Sequence, residues 1–345
     1  MDQHQNPLPA RSGQILHVVS RSTGVAQAIG FVIGIFLFGV VFATGLAIGA
    51  VIVAASTMFE TGAYQEVYRS GDSTTVAVIP VEGVIDAHRA HVVRALVDQA
   101  LGDRSTKAAI LRVDSPGGGI AASDQIWYQV KRMRDAGIPV IASFGGLAAS
   151  GGYYISCGTD HIVAEPTCIT GSIGVIAQAF IFKNLLDKVG IEPVTLLATD
   201  SPEKDVGNPM RAWTDKDRQT YIAMLDAAYK IFNGRVKEGR KVAIEDPALV
   251  DELADGSIFT AAEALDNGLV DTIGYLDDAI AQAERSAGLP AGRSTVVILR
   301  EPTSPLDELL GGRTPTPGPG ALFDAQKLRG VVNDLSLPRV MYLMR

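Results

Sequence analysis

Three short glycine-bearing turns hold the residues of this chain that could do chemistry. They read DSPGG at 114–118, ASGG at 149–152 and TGSIGV at 170–175, and each follows an apolar, strand-like run. A serine that opens a helix is usually an N-cap, but its hydroxyl can also act as a nucleophile. Glycine N–H groups at a strand-to-helix turn can approach a ligand closely and stabilise an oxyanion. Each turn taken alone could equally be an ordinary turn without chemistry.

Ser150 is the candidate nucleophile, and Gly151 after it offers an unhindered N–H group. A serine hydroxyl needs a base to take its proton. The five histidines are scattered, and His161 falls in a predicted strand, so a Ser-His-Asp triad is poorly supported. A lysine is the alternative, provided that burial or nearby charge keeps it neutral.

Apolar patterning predicts the elements that carry these turns. Residues 108–113 and 138–144 are predicted buried strands, and a helix with apolar residues at i, i+4 and i+7 lies between them. Residues 74–85 predict two short strands interrupted by Pro80 and Gly83. Further on, we expect a strand at 193–198 and a long amphipathic helix at 214–238 that Thr214 could cap.

Together, in this order and spacing, RVDSPGGG at 112–119, ASGGYY at 149–154 and TGSIGV at 170–175 resemble the S49 family of signal peptide peptidases. The resemblance runs from about Thr75 to about Ala287, and no internal repeat is visible, which is similar to the short form with one catalytic domain. It implies an α/β fold of the Clp protease and crotonase type, a spiral of β-β-α units, and a Ser-Lys dyad rather than a triad.

The resemblance also implies roles for individual residues. Lys204 lies 54 residues after Ser150, and Lys204-Asp205 with Pro209 matches the family's lysine loop, although Ser201 stands where the family usually has glycine. Lys204 would then be the general base of the dyad. Lys183 and Lys188 are nearby competitors, but a solvated helix face explains them better.

By the same resemblance, Ser172 would hold the lysine amine with its hydroxyl. The N–H groups of Gly118 and Gly151 would form the oxyanion hole. No organic cofactor and no metal are implied, and no Cys/His cluster has metal-ligand spacing. Cys157 and Cys168 allow a disulfide if the domain is extracytoplasmic, and two small buried residues otherwise.

Composition divides the 345 residues into five parts. Residues 1–21 are polar. Residues 22–59 carry no charge, and this run is long enough to be an uncleaved transmembrane signal anchor. Cleavage after Ala54-Ala55 is the alternative. Residues 60–301 would form the peptidase-like domain, 302–320 a Pro/Gly-rich linker and 321–345 a tail. Arg11 and Arg21 place the N-terminus in the cytoplasm of a bacterial-type inner membrane and the catalytic domain outside.

The function expected is therefore that of a membrane-anchored serine endopeptidase that cleaves remnant signal peptides or other apolar, membrane-derived peptides. The family also implies a homo-oligomeric ring. The net charge of −8 gives no sign of nucleic-acid binding. The alternative is a catalytically inactive membrane scaffold of the same fold. A crotonase-like acyl-CoA enzyme shares the fold group, but a transmembrane anchor argues against it.

Overall fold

A computed structural model describes residues 64–301 and 339–343, with seven isolated positions between 29 and 45. The chain divides into two compact units, Met1–Thr61 and Gly62–Arg345. Apart from those seven positions, the predicted span 22–59 lies outside the described residues, as does the predicted linker 302–320. In the part of the chain that is described, no helix has both the length and the apolar character needed to cross a bilayer.

Strands and helices alternate through the second unit. The strands are β1 (Tyr64–Arg69), β2 (Thr75–Glu82), β3 (Thr106–Ser115), β4 (Gly117–Gly119), β5 (Val140–Ala149), β6 (His161–Ala164), β7 (Ile169–Gly171), β8 (Ile176–Gln178), β9 (Ile258–Thr260), β10 (Thr272–Ile273), β11 (Thr295–Arg300) and β12 (Arg339–Leu343). The helices are α1 (Ala87–Gly102), α2 (Ile120–Asp135), α3 (Gly151–Ser156), α4 (Lys183–Val189), α5 (Asp215–Arg240), α6 (Pro247–Leu253), α7 (Ala261–Asp266) and α8 (Leu276–Ser286), and a 3-10 turn spans Pro202–Asp205.

A nine-stranded sheet forms the centre of this unit. Its strand order is β1-β11-β2-β3-β5-β6-β10, and β7 pairs with both β5 and β9. The pairs from β11 to β10 are parallel, whereas β1 and β9 pair antiparallel. A parallel sheet with helical connections is covered on both faces, which explains the continuous apolar runs of β2, β3 and β5. The parallel-rich α/β architecture agrees with the fold class that the sequence predicts.

Two apolar clusters hold helices against the two faces of the sheet. The larger includes Leu96 of α1, Ile126 of α2 and Tyr153 of α3, all essentially buried. The smaller joins Ile110 of β3 to Ile280 of α8 on the opposite face. Burying an aliphatic side chain of this size contributes about 1.5–3 kcal/mol. The turns at the carboxyl ends of the central strands are therefore mounted on a rigid framework.

Residues 74–85 form one strand, β2, and not the two strands predicted. Pro80 lies inside it and pairs in register with Arg112 of β3. The other neighbour, β11, pairs only as far as Val78. Pro80 therefore has no ladder partner on that edge, and a proline without an N–H group is tolerated there.

The predicted strand at 193–198 is also absent, since these residues form no regular element. Their apolar side chains face solvent, with Val194 78% and Leu196 90% exposed. No described strand lies alongside to pair with this segment. Apolar residues without a pairing partner do not make a sheet.

A smaller, three-stranded sheet has the order β4-β12-β8. Its middle strand, β12, is antiparallel to both neighbours. β4 consists of the glycines of the first predicted turn, so this sheet lies beside the candidate site.

Candidate active site

Ser150 lies between the end of β5 and the start of α3. Its φ of 53° and ψ of −114° are rare for a residue with a side chain. The N–H group of Ser150 donates to the Gly171 carbonyl at 2.8 Å, and its own carbonyl accepts from Tyr154 N at 2.8 Å. The neighbouring structure thus holds a backbone conformation that costs of order 1–3 kcal/mol, a kind of strain that clusters at functional sites.

The Ser150 side chain is buried at 1% exposure. Its Oγ has no hydrogen-bond partner among the described residues. An orphaned buried hydroxyl costs free energy, so its retention calls for an explanation such as a catalytic role. No histidine or lysine of the described chain therefore forms a hydrogen bond with this oxygen.

Helix α3 is anchored on several sides, although it has only six residues. The Tyr153 hydroxyl donates to the Leu269 carbonyl at 2.8 Å, and the Tyr154 hydroxyl donates to Asp124 Oδ1 at 2.6 Å. The Tyr154 ring packs edge-to-face on Phe232, with centroids 5.1 Å apart. These contacts fix the helix N-terminus, and with it the position of Ser150.

Gly118 lies in the middle of β4 and bridges to Ile85. Ile85 N donates to the Gly117 carbonyl at 2.9 Å, and Gly119 N donates to the Ile85 carbonyl at 2.8 Å. Backbone groups of successive strand residues point to alternate edges. The N–H and C=O groups of Gly118 therefore face the opposite edge of β4, away from Ile85.

Gly151 approaches this turn closely. A methyl group on Gly151 would lie 3.1 Å from the Gly118 nitrogen and 2.6 Å from Ser123 Oγ. Only a glycine fits here without displacing its neighbours. The two backbone N–H groups predicted to stabilise an oxyanion are thus brought together beside Ser150.

Three serines and threonines that the sequence reasoning missed support the turns. Ser115 Oγ donates to the Gly83 carbonyl at 2.6 Å and accepts from Gly117 N at 3.1 Å. Thr170 Oγ1 donates to the Ala148 carbonyl at 2.6 Å. Ser123 is fully buried with no partner for its Oγ in the described chain. Helical periodicity could have found Ser123, because it lies three residues before Ile126 and therefore on the apolar face of α2.

Ser172 lies close to Ser150 through the pairing of two strands. β7 runs parallel to β5 with Gly171 opposite Ala149, so Ser172 and Ser150 follow paired residues. Ser172 also has positive φ, 49°, and its N–H group donates to the Ser257 carbonyl at 2.6 Å. The structure thus brings together Ser150, Ser172, Gly118 and Gly151.

Lys204 is exposed in the 3-10 turn Pro202–Asp205, and in the described chain it forms no hydrogen bond with Ser150 Oγ. Arg211 fixes the loop: it contacts Asp205 and makes two hydrogen bonds to buried Asp217, at 2.6 and 2.8 Å. Hydrogen bonding by Arg211 holds the pKa of Asp217 far below its ordinary value. The base predicted from the resemblance is therefore on an ordered loop, but no hydrogen bond joins it to Ser150 Oγ within one protomer.

The competing bases and the cysteines have structural roles. His161 bonds Thr272 Oγ1 at 2.8 Å, and burial lowers its pKa. Lys183 pairs with Asp187 on exposed α4 at 2.5 Å. Cys157 and Cys168 are free and buried, and burial raises the pKa of each thiol to about 12. Within the described residues, no cluster of Asp, Glu, His and Cys could hold a metal ion.

Comparison with known proteins identifies relatives of this chain. The sequence profile of peptidase family S49 matches residues 132–290, a segment that contains Ser150, Ser172 and Lys204. A putative protease of Synechocystis sp. is 35% identical over 246 residues, 71% of this chain and 86% of that protein. The chloroplastic serine protease SPPA of Arabidopsis thaliana is 33% identical, over 67% of this chain and 33% of that protein.

A putative signal peptide peptidase SppA of Enterococcus faecium is 38% identical over 52% of this chain. The matched region spans 86% of the Synechocystis protein but only 50% and 33% of the other two.

Proposed function

Because this chain belongs to peptidase family S49, we propose that it is a membrane-anchored serine endopeptidase with a Ser-Lys dyad. One observation carries the proposal: Ser150 is held at positive φ, at the start of α3, beside the N–H groups of Gly118 and Gly151. A nucleophile and two oxyanion donors in this arrangement suit acyl transfer.

In the proposed mechanism, Ser150 Oγ attacks a peptide carbonyl while the Lys204 amine takes its proton. The N–H groups of Gly118 and Gly151 stabilise the tetrahedral oxyanion. Lys204 returns the proton to the leaving amine, and the acyl group stays on Ser150. A water molecule, deprotonated by Lys204, then releases the acyl group and restores the enzyme. Ser172 holds the lysine amine in place.

We place Lys204 against the Ser150 of a neighbouring copy in a homo-oligomeric ring. Two observations support this: Lys204 is exposed in the single protomer, and Ser150 Oγ has no partner there. A lysine acts as a base near pH 7 when burial or nearby positive charge favours its neutral form, and an interface between copies would bury Lys204. The segment 180–197, just before the lysine loop, carries a set of exposed apolar side chains suited to an interface between copies. They are Phe180, Ile181, Leu185, Val189, Ile191, Val194, Leu196 and Leu197.

The proposed substrates are remnant signal peptides or other apolar, membrane-derived segments in extended form. The Enterococcus relative is a putative signal peptide peptidase, which supports this class. The uncharged run at 22–59 supports an anchor in the bacterial cytoplasmic membrane, with the N-terminus inside and the catalytic unit outside. Protease protection in oriented membrane vesicles tests this topology.

The dyad is tested with the full-length protein on an apolar fluorogenic peptide. We expect Ser150→Ala and Lys204→Ala each to reduce kcat by at least about 10³-fold, since nucleophile and base act as a unit. Lys131→Ala is the matched control, because Lys131 is also exposed, pairs with Asp135 and lies outside the segment 180–197, and it should keep full activity. If activity is lost in Ser150→Ala but not in Lys204→Ala, Ser150 remains the proposed nucleophile and a residue other than Lys204 must be the base.

A catalytically silent scaffold is the second candidate, and it is favoured by the lack of a hydrogen bond between Ser150 Oγ and any described lysine. In that case the wild-type oligomer would show no hydrolysis, and Ser150→Ala would retain the biological function. If the wild-type protein hydrolyses peptides and Ser150→Ala does not, the scaffold is excluded.

A further inference from the structure

Two buried hydroxyl groups of the described residues have no hydrogen-bond partner, and both lie beside Gly151. They belong to Ser123 and Ser150, which are 0% and 1% exposed. Buried hydroxyl groups are normally bonded, so each exception calls for an explanation. Nucleophilic attack explains the free hydroxyl of Ser150, whereas the mechanism proposed above gives Ser123 no role.

Packing alone does not account for a serine at position 123. The residue lies near the start of α2, on the face that buries Ile126, and an alanine would fill the same place without a polar atom. Burying a hydroxyl group that has no partner costs free energy of folding. Another buried serine nearby avoids this cost, because Ser156 Oγ donates to the Gly152 carbonyl at 2.7 Å.

The Ser123 hydroxyl lies at the proposed oxyanion hole. A methyl group on Gly151 would lie 2.6 Å from Ser123 Oγ and 3.1 Å from the Gly118 nitrogen. That methyl position is only two covalent bonds away from the Gly151 nitrogen. The hydroxyl oxygen and the two backbone N–H groups therefore surround one small space, next to the residue that carries the nucleophile.

The framework holds this hydroxyl in place from two sides. α2 begins immediately after β4, so Ser123 and Gly118 belong to one continuous strand-to-helix unit. α3 packs against α2, and the Tyr154 hydroxyl of α3 donates to Oδ1 of Asp124, the residue after Ser123, at 2.6 Å. The Ser123 hydroxyl hydrogen can turn toward an acceptor. A donor anchored in this way needs no rearrangement when negative charge develops in front of it.

We propose that Ser123 is a third donor of the oxyanion hole, a role that rests on the proposed peptidase function. When Ser150 Oγ forms its bond to the peptide carbonyl carbon, the carbonyl π electrons move to the oxygen. The Ser123 hydroxyl donates to that oxygen beside the N–H groups of Gly118 and Gly151. As the carbon–nitrogen bond breaks, the electrons return to form the acyl carbonyl, and Lys204 gives the leaving amine its proton. Ser123 keeps its own proton throughout.

The role is tested first by kinetics of the full-length protein on the apolar fluorogenic peptide. Ser123→Ala should lower kcat by about 10²-fold, because one oxyanion donor is lost and two remain. KM should stay within about twofold, since a donor to developing charge acts on the transition state. Ser156→Ala is the matched control and should keep its kcat, because Ser156 is also buried but its hydroxyl is bonded within α3. Full kcat in Ser123→Ala would overturn the proposal.

A peptide aldehyde distinguishes a direct donor from a residue that only supports the fold. The aldehyde forms a hemiacetal with Ser150 whose oxygen occupies the oxyanion hole, so its inhibition constant reports on the donors there. Ser123→Ala should raise that constant by about 10²-fold, in parallel with the fall in kcat. A fall in kcat with unchanged affinity for the aldehyde would exclude contact with the oxyanion and overturn the proposal.

Stability to urea should respond differently to the two serine substitutions. Ser123→Ala removes a buried hydroxyl that has no partner, so the midpoint of unfolding should be at least as high as that of the wild type. Ser156→Ala removes a hydroxyl that is bonded, so its midpoint should fall. A midpoint for Ser123→Ala below that of the wild type would assign Ser123 a structural role and overturn the proposal.

Failure of this inference can be told apart from failure of the proposed function. If the wild type hydrolyses the peptide, Ser150→Ala does not and Ser123→Ala does so fully, only the role of Ser123 is refuted. If the wild type neither hydrolyses the peptide nor binds the aldehyde, the peptidase function is refuted, and the role of Ser123 with it.

Discussion

Ser150 and Ser172 are the two non-glycine residues of the described chain with positive φ, 53° and 49°. Both follow a strand of the central sheet, and both donate a backbone hydrogen bond to a neighbouring segment. Local sequence preference does not favour these conformations, so the surrounding structure must impose them. Their coincidence with two sequence-predicted site residues supports the roles proposed for them.

Gly118→Ala should impair catalysis. A methyl group at Gly118 would collide with the Ile85 backbone, and the resulting shift of β4 would move the proposed oxyanion donor. We expect kcat/KM to fall by about 10²–10³-fold, the usual effect of losing one such donor. Gly146→Ala in β5 is the control, because its methyl group meets nothing within 4 Å. Thermal unfolding of both variants shows whether the loss is local, and full activity of Gly118→Ala would contradict the assignment.

Arg240 and Asp271 form a bidentate pair at 2.6 and 2.9 Å that joins α5 to the sheet, with Arg240 only 4% exposed. Arg240→Met leaves a largely buried carboxylate without its partner. We expect the free energy of unfolding at pH 7 to fall by about 3–5 kcal/mol, as measured by urea denaturation. Arg293→Met is the control, since its pair with Asp72 is exposed and should contribute at most about 1 kcal/mol.

The loss of stability expected for Arg240→Met depends on pH in a definite direction. Burial raises the pKa of Asp271, but the hydrogen bonds and charge of Arg240 outweigh it and hold that pKa below its ordinary value. The pair's contribution is therefore complete above the unfolded pKa of about 3.9 and is lost as pH falls through the lower folded pKa. The difference in unfolding free energy between wild type and Arg240→Met should shrink as pH falls below about 4. A constant difference would contradict this origin.

At the scale of elements, strand-helix junctions decide where the proposed catalytic groups lie. The sequence predicts a strand at 138–144, but β5 continues to Ala149 and delivers Ser150 directly to α3. The predicted helix at 214–238 is confirmed as α5, with Thr214 capping it through a bond from Asp217 N. Asp217 accepts in turn from Arg211, so the same helix start also fixes the lysine loop.

Arg211→Ala should loosen the segment 201–214 without unfolding the domain. It removes the cation that pairs with buried Asp217 and contacts Asp205. Hydrogen exchange in that segment should accelerate by at least about tenfold while the sheet amides keep their protection. Lys216→Ala is the control, because its pair with Glu203 is exposed. Unchanged exchange would show that Arg211 does not hold the loop.

At the scale of the whole molecule, the exposed apolar segment 180–197 predicts assembly. Val194→Glu should break the interface between copies, because it buries an unpaired charge there. We expect a smaller species in sedimentation and a loss of kcat/KM of at least about 10²-fold, since Lys204 would no longer reach the neighbouring Ser150. Val242→Glu, at a position 86% exposed on another surface, is the control. An active monomer would contradict a dyad shared between copies.

The sequence by itself determined the α/β class, the three turns and their glycines, and the capped helix α5. These follow from apolar periodicity, turn chemistry and capping, which act over a few neighbouring residues. Only the tertiary structure decided that Pro80 stays within β2, that 193–198 forms no strand and that β12 pairs with β4 at Gly118. Each of these depends on which distant backbone lies alongside and is free to pair. Neighbouring residues do not contain that information.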